Sequence, residues 1–254
     1  MIEVYRRPMQ GTQPEYRFPP YGSTAKRAPT KPLVMLPHTL SETTGPVFGH
    51  DSVKAGEFDL TVGHAGEPAV GPGDSPGQPG LRPGDSSGQP IGKKIVVSGR
   101  VLDDGGKPVR HTLVEIWQAN SAGRYRHPND GPHSPLDPNF TGCGRAMTDA
   151  EGRYRFVTIE PGAYPWRNHY NAWRPKHIHF SLWGAAFTQR LVTQMYFPGD
   201  PLLPFDPIFN CVTDTKARDR LVSALDWETT IPESAIGYRF DIVLRGRHAT
   251  PVDR

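Results

Sequence analysis

From residue 94 onward, the sequence is a series of short strand-like runs separated by turn residues. Each run is rich in branched and aromatic residues, which favour strands, and Gly, Asp and Pro stand between the runs, as at 103–106. The runs are 95–101, 112–117, 153–157, 177–182, 191–197 and 238–244. This pattern predicts an all-β fold with an antiparallel β-sandwich core.

The length of 254 residues and the hydrophobic content of 36% are sufficient for one sizeable core. We therefore predict a single domain over 1–254, with the sandwich at 93–246. One or two peripheral helices are expected beside it. The clearer one begins at Asp214 as cap and runs through Leu221 to Leu225, with apolar residues at helical spacing.

Two segments differ from the core in composition. Residues 1–50 are rich in Pro but interleaved with aromatic and branched residues, which predicts an extended N-terminal arm that packs on this body or on a neighbouring subunit. Residues 65–92 repeat a Gly- and Pro-rich motif, at 71–79 and again at 82–90. With almost no apolar side chains, this segment is expected to be a surface loop without chemistry.

Charge and cysteine content exclude several functions. The 29 basic and 26 acidic residues are scattered, which is not the pattern of a nucleic-acid surface. Cys143 and Cys211 are too few for a disulfide framework, and no apolar stretch has the length of a signal peptide or a membrane helix. The expected location is cytoplasmic.

His177 and His179 are two residues apart in a predicted strand. Because side chains alternate along a strand, the two imidazoles share one face. Ile178 and Phe180 then point to the other face, into a core. This geometry suits metal ligands, but two hydrogen-bonded core histidines or a solvated strand face would produce the same spacing.

Tyr125 and Tyr164 are possible further ligands. Tyr125 follows a predicted strand, and Tyr164 stands in a stiff loop between prolines. A neutral phenol is a poor ligand for a divalent ion, whereas a hard trivalent ion favours the phenolate, so two tyrosines with two histidines point to Fe³⁺. Ordinary aromatic packing is the alternative, and the residues alone leave it open.

Several long motifs resemble those of the intradiol ring-cleaving dioxygenase family, and together they span most of the chain. They lie at 41–46, 113–120, 123–127, 136–140, 161–167, 173–180 and 238–246. The resemblance implies a non-haem Fe(III) enzyme that cleaves an aromatic diol between its hydroxyl-bearing carbons with O₂. The expected substrate is protocatechuate (3,4-dihydroxybenzoate), giving 3-carboxy-cis,cis-muconate; catechol and hydroxyquinol are alternatives.

The resemblance also implies roles for individual residues. It gives the iron ligands as Tyr125, Tyr164, His177 and His179. Tyr164 would leave the metal and accept a substrate proton, while Arg174 would stabilise negative charge on the substrate and Gln194 would be a polar residue behind the ligands. The residues expected to contact the substrate are Tyr21, Trp117, Trp166 and Arg174.

The family resemblance further implies a homologous alpha subunit that lacks the ligands, in αβ protomers of a larger symmetric oligomer. A homodimer is the alternative assembly. Two other functions stay open at this point: a non-catalytic β-sandwich binding module, and an Fe²⁺ extradiol enzyme, which would require a carboxylate ligand beside two histidines.

Overall fold

The computed structural model describes residues 9–32, 34, 50–62, 88–128, 130–131, 134–183 and 190–253. The motif at 41–46, most of the predicted loop at 65–92 and part of the predicted arm lie outside these residues. The described strands are β1 (Lys94–Leu102), β2 (Leu113–Gln118), β3 (Cys143–Met147), β4 (Arg153–Ile159), β5 (Tyr164–Pro165), β6 (Trp173–Arg174), β7 (His177–Trp183), β8 (Arg190–Tyr196), β9 (Ala224–Leu225), β10 (Ile236–Arg239) and β11 (Ile242–Val243). The α-helices are α1 (Thr24–Arg27), α2 (Pro207–Asn210) and α3 (Thr215–Asp219), with 3₁₀ turns at His50–Ser52 and Leu203–Phe205.

Two sheets form the body of the molecule. In the first sheet β1 pairs antiparallel with β4 and parallel with β10 and β11, and β9 pairs antiparallel with β10. The second sheet has the order β3-β2-β7-β8, with antiparallel pairing throughout. Strands β5 and β6 form a separate hairpin. The prediction of an all-β, mainly antiparallel fold is confirmed, with parallel pairing at β10 and β11 as the exception.

The main apolar core contains residues from both sheets. From the first sheet come Ile95, Val97 and Phe156, and from the second come Ile178 and Phe180, all of them fully buried. Alternation along each strand places these side chains between the sheets. The opposite face of β7 is therefore free to carry His177 and His179, as predicted.

Some predicted boundaries are wrong. The helix from Asp214 ends at Asp219 instead of continuing to Leu225, because Leu225 pairs with Tyr238 in the sheet. The predicted strand 238–244 is divided into β10 and β11. Three short α-helices, not one or two, occur among the described residues, and α1 lies in the arm.

The described part of the arm packs on the body of its own chain. The Glu15 amide donates to the carbonyl of Cys211 at 3.2 Å, and the Gly11 carbonyl accepts from the Asp214 amide at 2.9 Å. Asn168 in the β5–β6 hairpin accepts from the Gly22 amide at 2.9 Å and donates to the Pro20 carbonyl at 2.8 Å. These contacts anchor the arm beside both α2 and the hairpin.

Candidate metal centre

The two histidines of β7 lie between specific neighbours that the strand register selects. His177 stands opposite Tyr196 of β8, while His179 stands between Trp117 of β2 and Gln194 of β8. The rings of His177 and His179 are 4.9 Å apart. The pairing of β7 with β2 and β8 therefore places these aromatic and polar side chains around the two imidazoles.

Tyr125 and Tyr164 meet because two tight loops touch. Gly123 has φ of +76°, and a Cβ at this position would collide with the carbonyl oxygen of Ala163. A Cβ on Gly162 would collide with the Ser121 carbonyl oxygen. Glycines at both contact points let the loop after β2 lie directly against the loop before β5, which brings the two tyrosine rings to 5.4 Å in an edge-on arrangement.

The hydroxyl groups of two predicted ligands lie close to a ring nitrogen of a third, His177 Nε2. The hydroxyl oxygens of Tyr125 and Tyr164 are 3.2 and 3.3 Å from His177 Nε2. His177 Nδ1 is 2.7 Å from the Pro175 carbonyl oxygen, which can only accept, so Nδ1 carries the proton and Nε2 has the free lone pair. The Tyr125 and His179 rings are 6.2 Å apart, so the fourth predicted ligand belongs to the same cluster.

Burial keeps all four groups neutral in the absence of a cation. It raises the pKa of Tyr125 and of Tyr164, and it lowers the pKa of His177 and of His179. A highly charged cation would reverse the preference of the phenols, since it stabilises the phenolate directly. Two phenols and two imidazoles in this arrangement fit a hard trivalent ion better than a divalent one.

Arg174 lies beside this cluster in a buried polar network. Its Nε is 3.2 Å from Asp206 Oδ1, an ion pair without hydrogen-bond alignment, and its Nη2 donates to Gln194 Oε1 at 2.5 Å and to the Tyr196 hydroxyl at 3.2 Å. Burial by itself would lower the pKa of Arg174, but Asp206 and the neighbouring phenols together outweigh it, and the net shift is upward. The guanidinium is therefore a fixed cation.

The aromatic residues predicted to contact substrate divide into two groups. Tyr21, from the arm, lies 5.6 Å from the Trp166 ring, and the Arg174 guanidinium lies 5.5 Å from the same ring. Trp117 instead stacks on the His179 ring at 4.8 Å with an interplanar angle of 2°. The structure thus brings Tyr21, Trp166 and Arg174 together, while Trp117 supports a predicted ligand.

Two family models match this chain in sequence. A family model described as dioxygenase matches residues 68–246, and one described as protocatechuate 3,4-dioxygenase beta subunit N terminal matches residues 5–39. The protocatechuate 3,4-dioxygenase beta chain of Burkholderia cepacia is 55% identical over 245 residues, which cover 96% of this chain and 94% of that protein. The chain belongs to the intradiol dioxygenase family.

Other dioxygenases are less similar to this chain. The protocatechuate 3,4-dioxygenase alpha chain of Pseudomonas putida is 26% identical over 86% of this chain and 97% of its own. Catechol 1,2-dioxygenase 2 of Acinetobacter lwoffii is 34% identical over 53% of this chain and 48% of its own. A solved dioxygenase domain from Streptomyces sp. SirexAA-E has 26% identity and a TM-score of 0.47, covering 69% of this chain and 94% of its own.

Three residues near the centre of this dioxygenase were missed by sequence reasoning: Tyr196, Asp206 and Asp253. Tyr196 was detectable in principle, because it follows Gln194 by one strand period and so shares its face. Asp206 precedes Pro207 in the manner of a helix cap, which indicates α2 but not an ion pair with Arg174. No sequence signal connects Asp253 with the site.

Among the described residues, no helix has the length and apolar character required to cross a membrane.

Proposed function

We propose that this chain is the iron-binding subunit of a protocatechuate 3,4-dioxygenase. It cleaves the ring of protocatechuate between the two hydroxyl-bearing carbons with O₂, and the product is 3-carboxy-cis,cis-muconate. The observation that carries this proposal is the convergence of the Tyr125 and Tyr164 hydroxyl oxygens on the free nitrogen of His177. The 55% identity with the Burkholderia cepacia beta chain supports the same substrate.

Tyr125, Tyr164, His177 and His179 would hold Fe(III) in this proposal. A bound ferric ion would supply the Lewis acidity that favours the deprotonated form of phenols and of catechol oxygens near neutral pH. The protein supplies a buried site with two phenol donors, and the Pro175 carbonyl fixes the tautomer of His177.

Tyr164 is proposed to accept a proton from a substrate hydroxyl at its own hydroxyl oxygen. It lies on the two-residue strand β5, which pairs only with β6 in the described structure. Burial raises the pKa of Tyr164 above its ordinary value, so the phenolate is a strong base once it is away from a cation. The Tyr125 amide donates to the Asp130 carboxylate at 2.8 Å, which fixes the backbone that carries the other phenol.

Arg174 is proposed to stabilise negative charge on the bound substrate. Its guanidinium is already held by Asp206, Gln194 and Tyr196, so it does not have to reorganise when charge develops. Its side chain is 5% exposed, and a charge interaction there is screened far less than at the surface.

The arm supports protocatechuate over catechol as substrate. Tyr21 packs beside Trp166, and there its hydroxyl would bind a ring carboxylate, which catechol lacks. The match to the beta-subunit N-terminal model covers this part of the arm, whereas the hydroxyquinol and catechol 1,2-dioxygenases of Rhizobium sp. and Acinetobacter lwoffii match only 46% and 53% of this chain.

A homologous alpha chain is the proposed partner, in αβ protomers that repeat in a larger symmetric assembly. The supporting observation is that the Pseudomonas putida alpha chain matches this chain over 86% of its length. The described arm packs on its own body, so the arm is an intrachain part of the site and not by itself a reason for a partner.

Co-expression with an alpha chain, followed by iron analysis and O₂ uptake, tests the proposal. The purified complex should contain about one iron per copy of this chain, show the red-brown colour of tyrosinate bound to Fe³⁺, and consume O₂ faster with protocatechuate than with catechol or hydroxyquinol. A pale, iron-free complex without O₂ uptake would refute the proposed function. Full activity on protocatechuate from this chain alone would refute only the requirement for a partner.

A further inference from the structure

The segment 249–253 returns to the candidate metal centre along β8. Thr193 Oγ1 donates to the Pro251 carbonyl at 2.7 Å, and the Asp253 amide donates to the Val192 carbonyl at 2.7 Å. The Val252 amide donates to Gln13 Oε1 of the arm at 2.8 Å. Hydrogen bonds from both sides therefore fix the backbone that carries Asp253.

The Asp253 carboxylate faces two residues of the site at once. Its Oδ2 accepts from Gln194 Nε2 at 2.7 Å and lies 3.7 Å from His179 Nδ1. His179 Nδ1 is buried and has no hydrogen-bond partner among the described residues. A small rotation of the ring would close the 3.7 Å approach to hydrogen-bond length.

His177 and His179 differ in what holds their Nδ1 atoms. His177 Nδ1 has the Pro175 carbonyl, two residues before it in the chain. The carboxylate that faces His179 Nδ1 at 3.7 Å belongs to Asp253, which lies after the last described strand. Stacking on Trp117 holds the plane of the His179 ring but does not determine which nitrogen carries the proton. A carboxylate beside Nδ1 makes that choice, as in many metal sites with histidine ligands.

We propose that Asp253 is a positioning residue for this metal centre, an inference that rests on the proposed function. It keeps the proton of His179 on Nδ1, so that Nε2 is free for iron. Because it accepts from Gln194 Nε2, it also turns Gln194 Oε1 toward Arg174, which donates to that oxygen at 2.5 Å. One carboxylate thus orients both a ligand and the buried cation.

Two substitutions separate positioning from packing. Asp253→Val keeps a similar volume but has no acceptor, whereas Asp253→Asn keeps an acceptor oxygen. In the iron-loaded αβ complex, Asp253→Val should release iron to an excess of chelator about 10–100-fold faster than wild type, with an altered ferric EPR signal. Asp253→Asn should recover most of the wild-type behaviour. Asp104→Val, at a surface ion pair with Arg245, is the control and should change neither.

Iron release at the wild-type rate from Asp253→Val would mean that Asp253 only fills space and would overturn the proposal, as would equal release from Asp253→Val and Asp253→Asn. A measurement on the wild type avoids dependence on folding of the variants. Solid-state ¹⁵N NMR of the iron-free complex, with His179→Gln to identify the signal, should find the His179 proton on Nδ1. A proton on Nε2 would refute the inference. Absence of iron from the wild-type complex would refute the proposed function instead, while the NMR result would still stand.

Discussion

Replacing Asp206 by Asn removes one charge from the most deeply buried ion pair beside the candidate metal centre. The Asp206 side chain is 0% exposed and that of Arg174 is 5% exposed. Asp206 also caps α2, accepting from the amides of Ile208 and Phe209 at 3.3 and 3.4 Å. Asn is as good an N-cap as Asp, so the substitution should keep a capping acceptor while it removes the charge and the second acceptor oxygen, Oδ2, to which the Tyr196 hydroxyl donates at 3.2 Å.

The expected cost follows from the guanidinium that remains. With Asp206→Asn, Arg174 keeps hydrogen bonds to Gln194 and Tyr196 but has lost its only close carboxylate among the described residues. Breaking a buried ion pair on one side costs about 3–5 kcal/mol, against a total free energy of unfolding of about 5–15 kcal/mol. We therefore expect a loss of about 3–5 kcal/mol in the free energy of unfolding.

Urea denaturation at neutral pH measures this loss, and Asp214→Asn is the matched control. Asp214 caps α3 by accepting from the Ala217 amide at 2.8 Å, but it forms no ion pair with a buried cation in the part of the chain that the structure describes, so its replacement should cost less than about 1 kcal/mol. Arg174→Met combined with Asp206→Asn should recover most of the loss, because it leaves no unpaired charge. Equal losses for Asp206→Asn and Asp214→Asn would refute the reasoning.

Three further predictions concern the site and its surroundings. Tyr164→Phe should retain iron but change colour and slow substrate binding by about 100-fold or more, since three ligands remain without the proton acceptor; stopped-flow binding at unchanged rates would contradict this. His177→Ala and His179→Ala should each lose most of the metal, and full iron occupancy in both would refute the site. Burial alone would raise the pKa of Glu160, but hydrogen bonds to Lys176 and Lys93 lower this pKa below 4.5 in the folded protein. The ionised Glu160 therefore stabilises the fold above pH 4.5, and this stabilisation is lost as the pH falls through the lower folded-state pKa. The stability difference between wild type and Glu160→Gln, from urea titrations at several pH values, should therefore vanish at low pH, and a difference that is independent of pH would contradict it.

The sequence by itself determined the class of fold and the face of β7. Branched and aromatic runs between turn residues specify strands locally, and the two-residue period puts His177 and His179 on one face whatever the partners of the strand are. The long motifs around Tyr125 and Tyr164 indicated the family. Local patterns were less reliable at Leu225, where pairing with β10 supplies backbone hydrogen bonds that a longer helix would forfeit.

Only the tertiary structure decided what surrounds the predicted ligands. Asp206 lies 32 positions after Arg174 and reaches the site at the N-cap of α2. Asp253 lies 74 positions after His179 and reaches the site on a segment that runs alongside β8. Their sequence neighbourhoods carry no metal-ligand spacing, because what places them is strand register and backbone hydrogen bonding between distant segments. A cation or a ring nitrogen in water is satisfied by the solvent and needs no protein partner. It needs one only when folding has buried it, and the sequence alone does not reveal which groups are buried together.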